Sequence, residues 1–131
     1  MKDKRINISS GAPWEDIVGY SRAVRVGKTI EVAGTTAIDE NGVLIGKGNA
    51  ADQTRCILKK IEKALQQAGA DMKDVVRTRI YVTDIQQWED IGKVHGEFFK
   101  NIKPVTTMVE VKALIDPGMM VEIEATAVIT N

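Results

Sequence analysis

Val75-Val76-Arg77-Thr78-Arg79-Ile80-Tyr81-Val82-Thr83 decides the fold. The run is rich in β-branched and aromatic residues, the types that fit a pleated, half-buried surface. Side chains alternate across a strand with period two. Val76, Thr78, Ile80 and Val82 are therefore expected on one face, and Arg77, Arg79 and Tyr81 on the other. The first set suits a core. The second is neither freely polar nor dry.

Working outward, Asp84 reads as the cap of a helix, with Gln87 in capping-box position. Trp88, Ile91, His95, Phe98, Phe99 and Ile102 form its expected inward stripe, and Pro104 prevents its continuation. Upstream, Asn49 reads as the N-cap of a helix over Ala50–Ala68. Ile57, Leu58, Ile61, Ala64, Leu65 and Ala68 recur there at helical spacing, and Gly69 sits where a glycine stops a helix. Further out, Arg22–Val26 and Thr29–Gly34 read as two strands around a Gly27-Lys28 turn. Asn41-Gly42 is a second turn signal, with Val43–Ile45 as a short strand. Residues 1–19 look irregular. Val105–Val111 and Val121–Ile129 are the closing strands, separated by a Pro117-Gly118 turn.

Two amphipathic helices interspersed among these strands imply an α+β fold, with a sheet carrying both helices on one face. The opposite face is expected to show Arg77, Arg79, Tyr81, Thr106, Met108, Glu110, Glu122 and Glu124. Mixed charge with Met and Tyr is the make-up of a subunit interface or a ligand cleft. The alternative is a solvated face with cross-strand Arg–Glu pairs, each contributing roughly 0.2–1 kcal/mol.

The length of 131 residues fits one domain over residues 1–131, large enough for one core without staples. Lys and Arg total 18, as do Asp and Glu, so net charge is zero. That speaks against a protein whose main task is gripping phosphate backbones, so nucleic acid is not the expected partner. One cysteine, Cys56, and one histidine, His95, leave no intrachain disulfide, no Cys-rich metal site and no His pair. The charged Met1–Ile8 has no apolar signal core and no apolar run is long enough to span a membrane, so cytoplasm is the default.

Four segments together resemble the RidA (YjgF) family: Gly19-Tyr20-Ser21-Arg22-Ala23-Val24; Val32-Ala33-Gly34-Thr35; Asp74-Val75-Val76-Arg77-Thr78 with Val82-Thr83-Asp84; and Pro104-Val105-Thr106-Thr107-Met108-Val109-Glu110-Val111 followed by Val121-Glu122-Ile123-Glu124-Ala125. The match runs from about residue 12 to the end. The resemblance implies a chorismate-mutase-like fold and a homotrimer whose sheets form a central barrel, with ligand clefts between subunits. It also implies hydrolysis of reactive enamines and imines to keto acids and ammonia, with no metal and no bound cofactor.

The resemblance assigns Glu122 to the carboxylate that positions the attacking water, Tyr20 to the cleft tyrosine, and Gly34 to a backbone contact point. The family's carboxylate-clamping arginine corresponds to Thr106, its serine to Ala33, its asparagine to Gly92 and its cysteine to Met108. Loss of a charge-assisted bond of roughly 1.5–3 kcal/mol weakens binding of an amino-acid-derived imine by about 10–100-fold. Arg79 is a candidate replacement cation, against a structural pairing with a glutamate. Glu122 itself is open to catalysis or to a structural ion pair, and Tyr20 to ligand contact or interface packing. Trp14 is a candidate wall of the cleft mouth, against a core or lid role. Cys56, His95 and Trp88 read as packing residues.

Three functions follow: an enamine or imine deaminase, a trimer that binds a small metabolite without turnover, and a ribonuclease, a label also attached to this family. A single histidine and zero net charge give the third little support.

Overall fold

The computed structural model describes residues 4–130. Its elements run β1 (Arg5–Ile8), α1 (Pro13–Val18), β2 (Ala23–Val26), β3 (Thr29–Thr35), α2 (Ala50–Gln67), β4 (Val75–Val82), α3 (Trp88–Phe99), β5 (Val105–Glu110) and β6 (Val121–Val128). The six strands form one sheet in the order β1-β2-β3-β6-β4-β5. Only β4 and β5 are parallel neighbours, and α3 supplies the crossover such a pair requires. The sheet is therefore mixed.

Helices α2 and α3 pack together on one face of it, as expected. Asn49 caps α2 by accepting from the Asp52 amide at 2.9 Å, and the helix ends before Gly69, whose φ of 86° is a left-handed conformation that glycine adopts without strain. Ile57, Leu58, Ile61 and Leu65 of α2 are fully buried against Ile30, Ile80, Ile123 and Val121 of the sheet. Buried Gln53 ties α2 to the loop before β6. Its amide donates to the carbonyls of Gly46 and Gly118 and accepts from the Met120 amide at 2.8 Å.

Several expectations need correction. Part of the segment read as irregular is the edge strand β1 and the short helix α1. Four residues are too few to show an alternation, and β1 is specified by pairing with β2 rather than by its own pattern. The rest of Met1–Ile8, residues 1–3, lies outside the described residues. Val43–Ile45 is not a strand; Leu44 makes one isolated bridge to Ile38. Val76 does not face the core. The register slips so that Val75 pairs with Ala127 and Arg77 with Thr126, leaving Val76 unpaired and 44% exposed. Asp84 caps a single 3₁₀ turn, Ile85–Gln87, by accepting from the Gln86 amide, so Gln87 completes no capping box. That turn rotates Trp88 outward to 54% exposure, and Val94 is buried in its stead.

The largest correction concerns β5. Paired residues in a sheet share a face. The register places Thr106 beside Thr78, Met108 beside Ile80 and Glu110 beside Val82, all on the helix side. The open face of β5 instead carries Val105, Thr107 and Val109, all exposed. Arg77, Arg79, Tyr81, Glu122 and Glu124 do share the open face, as expected.

Candidate functional site

Strands β3 and β6 meet at an irregularity. Val32 pairs with Ala125 and Thr35 with Ile123, so Ala33 and Gly34 bulge from the ladder. Gly34 is needed there. A Cβ at this position would lie 3.0 Å from the Glu122 carboxyl carbon and collide with its Oε2. The Glu122 carboxylate thus rests directly on the Gly34 backbone.

Burial pushes the Glu122 carboxyl above its ordinary value, the nearby Arg22 charge pulls it back, and Glu124 adds to the rise. The ion pairs among the described residues are Arg55–Asp52, Arg55–Glu97 and Arg79–Glu124, so Glu122 belongs to none. Glu124, two residues on, is different: it accepts a 2.7 Å bond from the Tyr81 hydroxyl and lies 3.8 Å from Arg79. The same bond, together with burial, holds the Tyr81 hydroxyl above the usual tyrosine range. Arg79 is thus paired structurally.

Beside the Gly34 bulge lies an open cleft of about 630 Å³, lined among others by Tyr20, Ala33, Glu31, Glu15, Arg79 and Glu124. Glu15, at the start of α1, is buried and bonded to the Ser10 hydroxyl and amide. Burial raises its carboxyl, but these bonds and Arg22 outweigh that and leave it lowered. Trp14 is not among the residues lining the cleft and is 62% exposed.

Thr106 lies elsewhere. Its hydroxyl is 2.9 Å from that of buried Thr78, which is 2.9 Å from His95 Nε2. Thr106 lines a small depression with His95, Phe99, Lys100, Lys103 and Pro104 under α3. Burial lowers the His95 pKa, and the ring lies 4.6 Å from that of Phe99 between centres, tilted by 41°. Met108 is half-buried against the core, and Gly92 has open space around it. Cys56 is half-buried, and burial raises its thiol pKa, which suits packing better than nucleophilic attack. Among the described residues no group of three or more His, Cys, Asp and Glu side chains could hold a metal ion, and no helix is long and apolar enough to cross a membrane.

The structure thus brings Tyr20, Ala33 and Arg79 to one cleft with the Gly34–Glu122 cradle beside it. Thr106 and Met108 stand on the other face of the sheet, two strands from β6. Sequence reading missed Arg22 as a member of this neighbourhood. It donates from Nη2 to the Gly34 carbonyl at 2.9 Å and sits 5.8 Å from the Tyr20 ring centre. Its available signal is position: it lies between Tyr20 and the start of β2, the strand that pairs with β3.

A mixed sheet backed by helices on one face, with a polar open face and a carboxylate on a glycine bulge, defines a protein of the α+β RidA fold. The chain belongs to the endoribonuclease L-PSP family, also called RidA or YjgF, whose model matches residues 11–129. It is similar to a crystal structure of a Mycobacterium tuberculosis member of the YjgF/YER057c/UK114 family. The TM-score is 0.88 at 54% identity, covering 96% of this chain and all of that one. It is 32% identical to the 3-aminoacrylate deaminase RutC of Acinetobacter baylyi, over 95% of this chain and 97% of that protein. It is 31% identical to a human 2-iminobutanoate/2-iminopropanoate deaminase, over 95% and 90% respectively.

Proposed function

We propose that this chain folds as one domain, assembles as a cytoplasmic homotrimer, and hydrolyses small reactive enamines or imines to keto compounds and ammonia at clefts between subunits. The observation that carries the reading is Glu122: a partly desolvated carboxylate, outside every ion pair among the described residues, held against Gly34. Such a group can take a proton from water as the oxygen attacks the imine carbon. The C=N π electrons move to nitrogen, which is protonated. Collapse of the carbinolamine breaks the C–N bond and releases ammonia, leaving C=O. No electrons are gained or lost overall, so no redox partner is required.

Two deaminase relatives support this reaction class. The assembly is supported by the open face itself. Val105, Thr107 and Val109 are exposed there and share the face with half-buried Arg77 and Glu122, a mixture suited to burial against another subunit. Within one chain Thr106 and Glu122 are on opposite faces, so a cleft using both needs two copies.

The test is ammonia and keto-acid release from 2-aminoacrylate generated freshly in the presence of the purified protein. Acceleration above buffer that disappears in Glu122→Gln is expected. No acceleration removes the reading for that substrate. A monodisperse monomer by light scattering removes the inter-subunit cleft.

A second reading, a trimer that binds a metabolite without turnover, is favoured by one observation. The position of the family's clamping arginine is Thr106, whose hydroxyl is bonded to Thr78. A small molecule that shifts the melting temperature and is recovered unaltered supports it.

A further inference from the structure

We propose that Arg22 is the anion receptor of the Glu122 cradle: its guanidinium binds the carboxylate of a small substrate and so sets which substrates are accepted. The substrate class rests on the deaminase reading; the binding of a carboxylate stands on the geometry of Arg22 itself.

Arg22 is held at both ends. Its amide donates to the Ile8 carbonyl at 2.8 Å, and its carbonyl accepts from the Ala33 amide at 3.0 Å, so its backbone is fastened between the end of β1 and the bulge of β3. Its Nη2 is anchored on the Gly34 carbonyl. The Nε, by contrast, is buried without a hydrogen-bond partner, the sole such buried side-chain nitrogen or oxygen among the described residues. A guanidinium carries five N–H donors and no acceptor. A buried donor left unused costs free energy comparable to a lost hydrogen bond. The missing partner must be an acceptor, and an anionic one gains most.

The neighbouring carboxylates do not fill that role. Glu122 and Glu15 both feel the Arg22 charge, yet neither forms an ion pair with it. Glu15 is committed to Ser10. Three other arginines are engaged: Arg79 by Glu124, Arg55 by Glu97, and Arg25 by the carbonyls of Gly27 and Ala68. The Tyr20 ring centre lies 5.8 Å from the guanidinium carbon, and Tyr20 also lines the open cleft.

The arrangement also suits the chemistry. Arg22 bonds the carbonyl of Gly34, and Glu122 packs on the Cα side of the same residue. In a 2-imino acid the reacting carbon is bonded directly to the carboxylate carbon. A carboxylate seated on Arg22 therefore brings the imine carbon toward Glu122. This supplies, from the residue just before β2, the cation that Thr106 does not provide.

The experiment is a titration of the assembled protein with pyruvate and with its uncharged methyl ester, followed by calorimetry. The wild type is expected to prefer pyruvate. Arg22→Gln is expected to weaken pyruvate binding about 10–100-fold while leaving the ester unchanged. Arg22→Lys, which keeps the charge but not the planar fork, is expected between them. Equal pyruvate affinity in Arg22→Gln and wild type overturns the proposal, as does a wild type that does not distinguish acid from ester. Should Arg22→Gln fail to fold, wild-type crystals soaked in pyruvate decide. A carboxylate on Arg22 Nε supports the proposal; a carboxylate elsewhere, none bound, or Nε paired with a neighbouring subunit overturns it. Pyruvate binding that depends on Arg22, without ammonia release from 2-aminoacrylate, upholds this inference and removes the catalytic reading.

Discussion

Two polar clusters lie on opposite faces of the same sheet, and they are built on opposite terms. Under α3, Thr106, Thr78 and His95 form an unbroken hydrogen-bonded chain in which each side chain has a partner. Around Gly34, among the described residues, Glu122 sits outside any ion pair and Arg22 carries a buried N–H without a partner. Burying a polar group is tolerated when it is hydrogen-bonded and expensive when it is not. The first cluster is therefore a structural device. The second holds unspent interaction energy, which is the mark of a place awaiting a ligand or another subunit.

Glu122→Gln is expected to lower ammonia release by about 100-fold or more, and to raise the melting temperature at neutral pH by about 1–3 °C. The sign follows from burial. The folded carboxyl is raised above its ordinary value of 4.5, so its contribution to stability is fully present below that value and is lost as pH rises through the folded pKa. The gain from Gln should therefore vanish near pH 4. A variant that keeps its activity, or loses stability at neutral pH, would place Glu122 in the structural class.

Thr78→Val is nearly isosteric but strips His95 and Thr106 of their shared partner. A loss of about 1–3 kcal/mol in urea unfolding is expected. Unchanged stability with lost turnover would reverse the roles of the two clusters.

His95 gives a finer measure. Burial lowers its pKa below the ordinary 6.5, and Lys100 and Lys103 line the same depression. As pH falls below 6.5 the unfolded chain takes up a proton that the folded one refuses. Stability should then drop, by at most about 1.4 kcal/mol per pH unit. The slope between pH 7 and 5 should flatten in His95→Gln; an unaltered slope assigns it to other groups.

The smallest effect is expected at Arg79. Its pairing with Glu124 is partly exposed, so Arg79→Gln should cost no more than about 1 kcal/mol. A larger loss would mean that the pairing is buried by a neighbouring subunit.

Much of the frame is legible in the sequence alone. The α2 stripe, the Asn49 cap and the Gly69 stop are local signals, each readable within a turn or two of helix. Val76, Trp88 and β1 were misread because a bulge, a 3₁₀ turn and an edge pairing are set by neighbours distant in sequence. Alternation told which residues of a strand share a face, but not which of its two faces meets the helices. Hence Thr106, Met108 and Glu110 were assigned to the wrong side of the sheet, while Glu122 and Tyr81 were placed correctly. Arg22 carries only a positional signal, two residues after Tyr20; its importance arises from the Gly34 carbonyl, which it meets only after the strands assemble.

By itself, the sequence determined the α+β class, the family and the two core helices, because periodicity, capping and short motifs are properties of adjacent residues. Tertiary structure alone decided the register of β5 against β4, the seating of Glu122 on Gly34 and the unpartnered donor of Arg22. The physical reason is that a pairing register and an unfilled hydrogen bond are relations between strands, and no single segment of chain contains them.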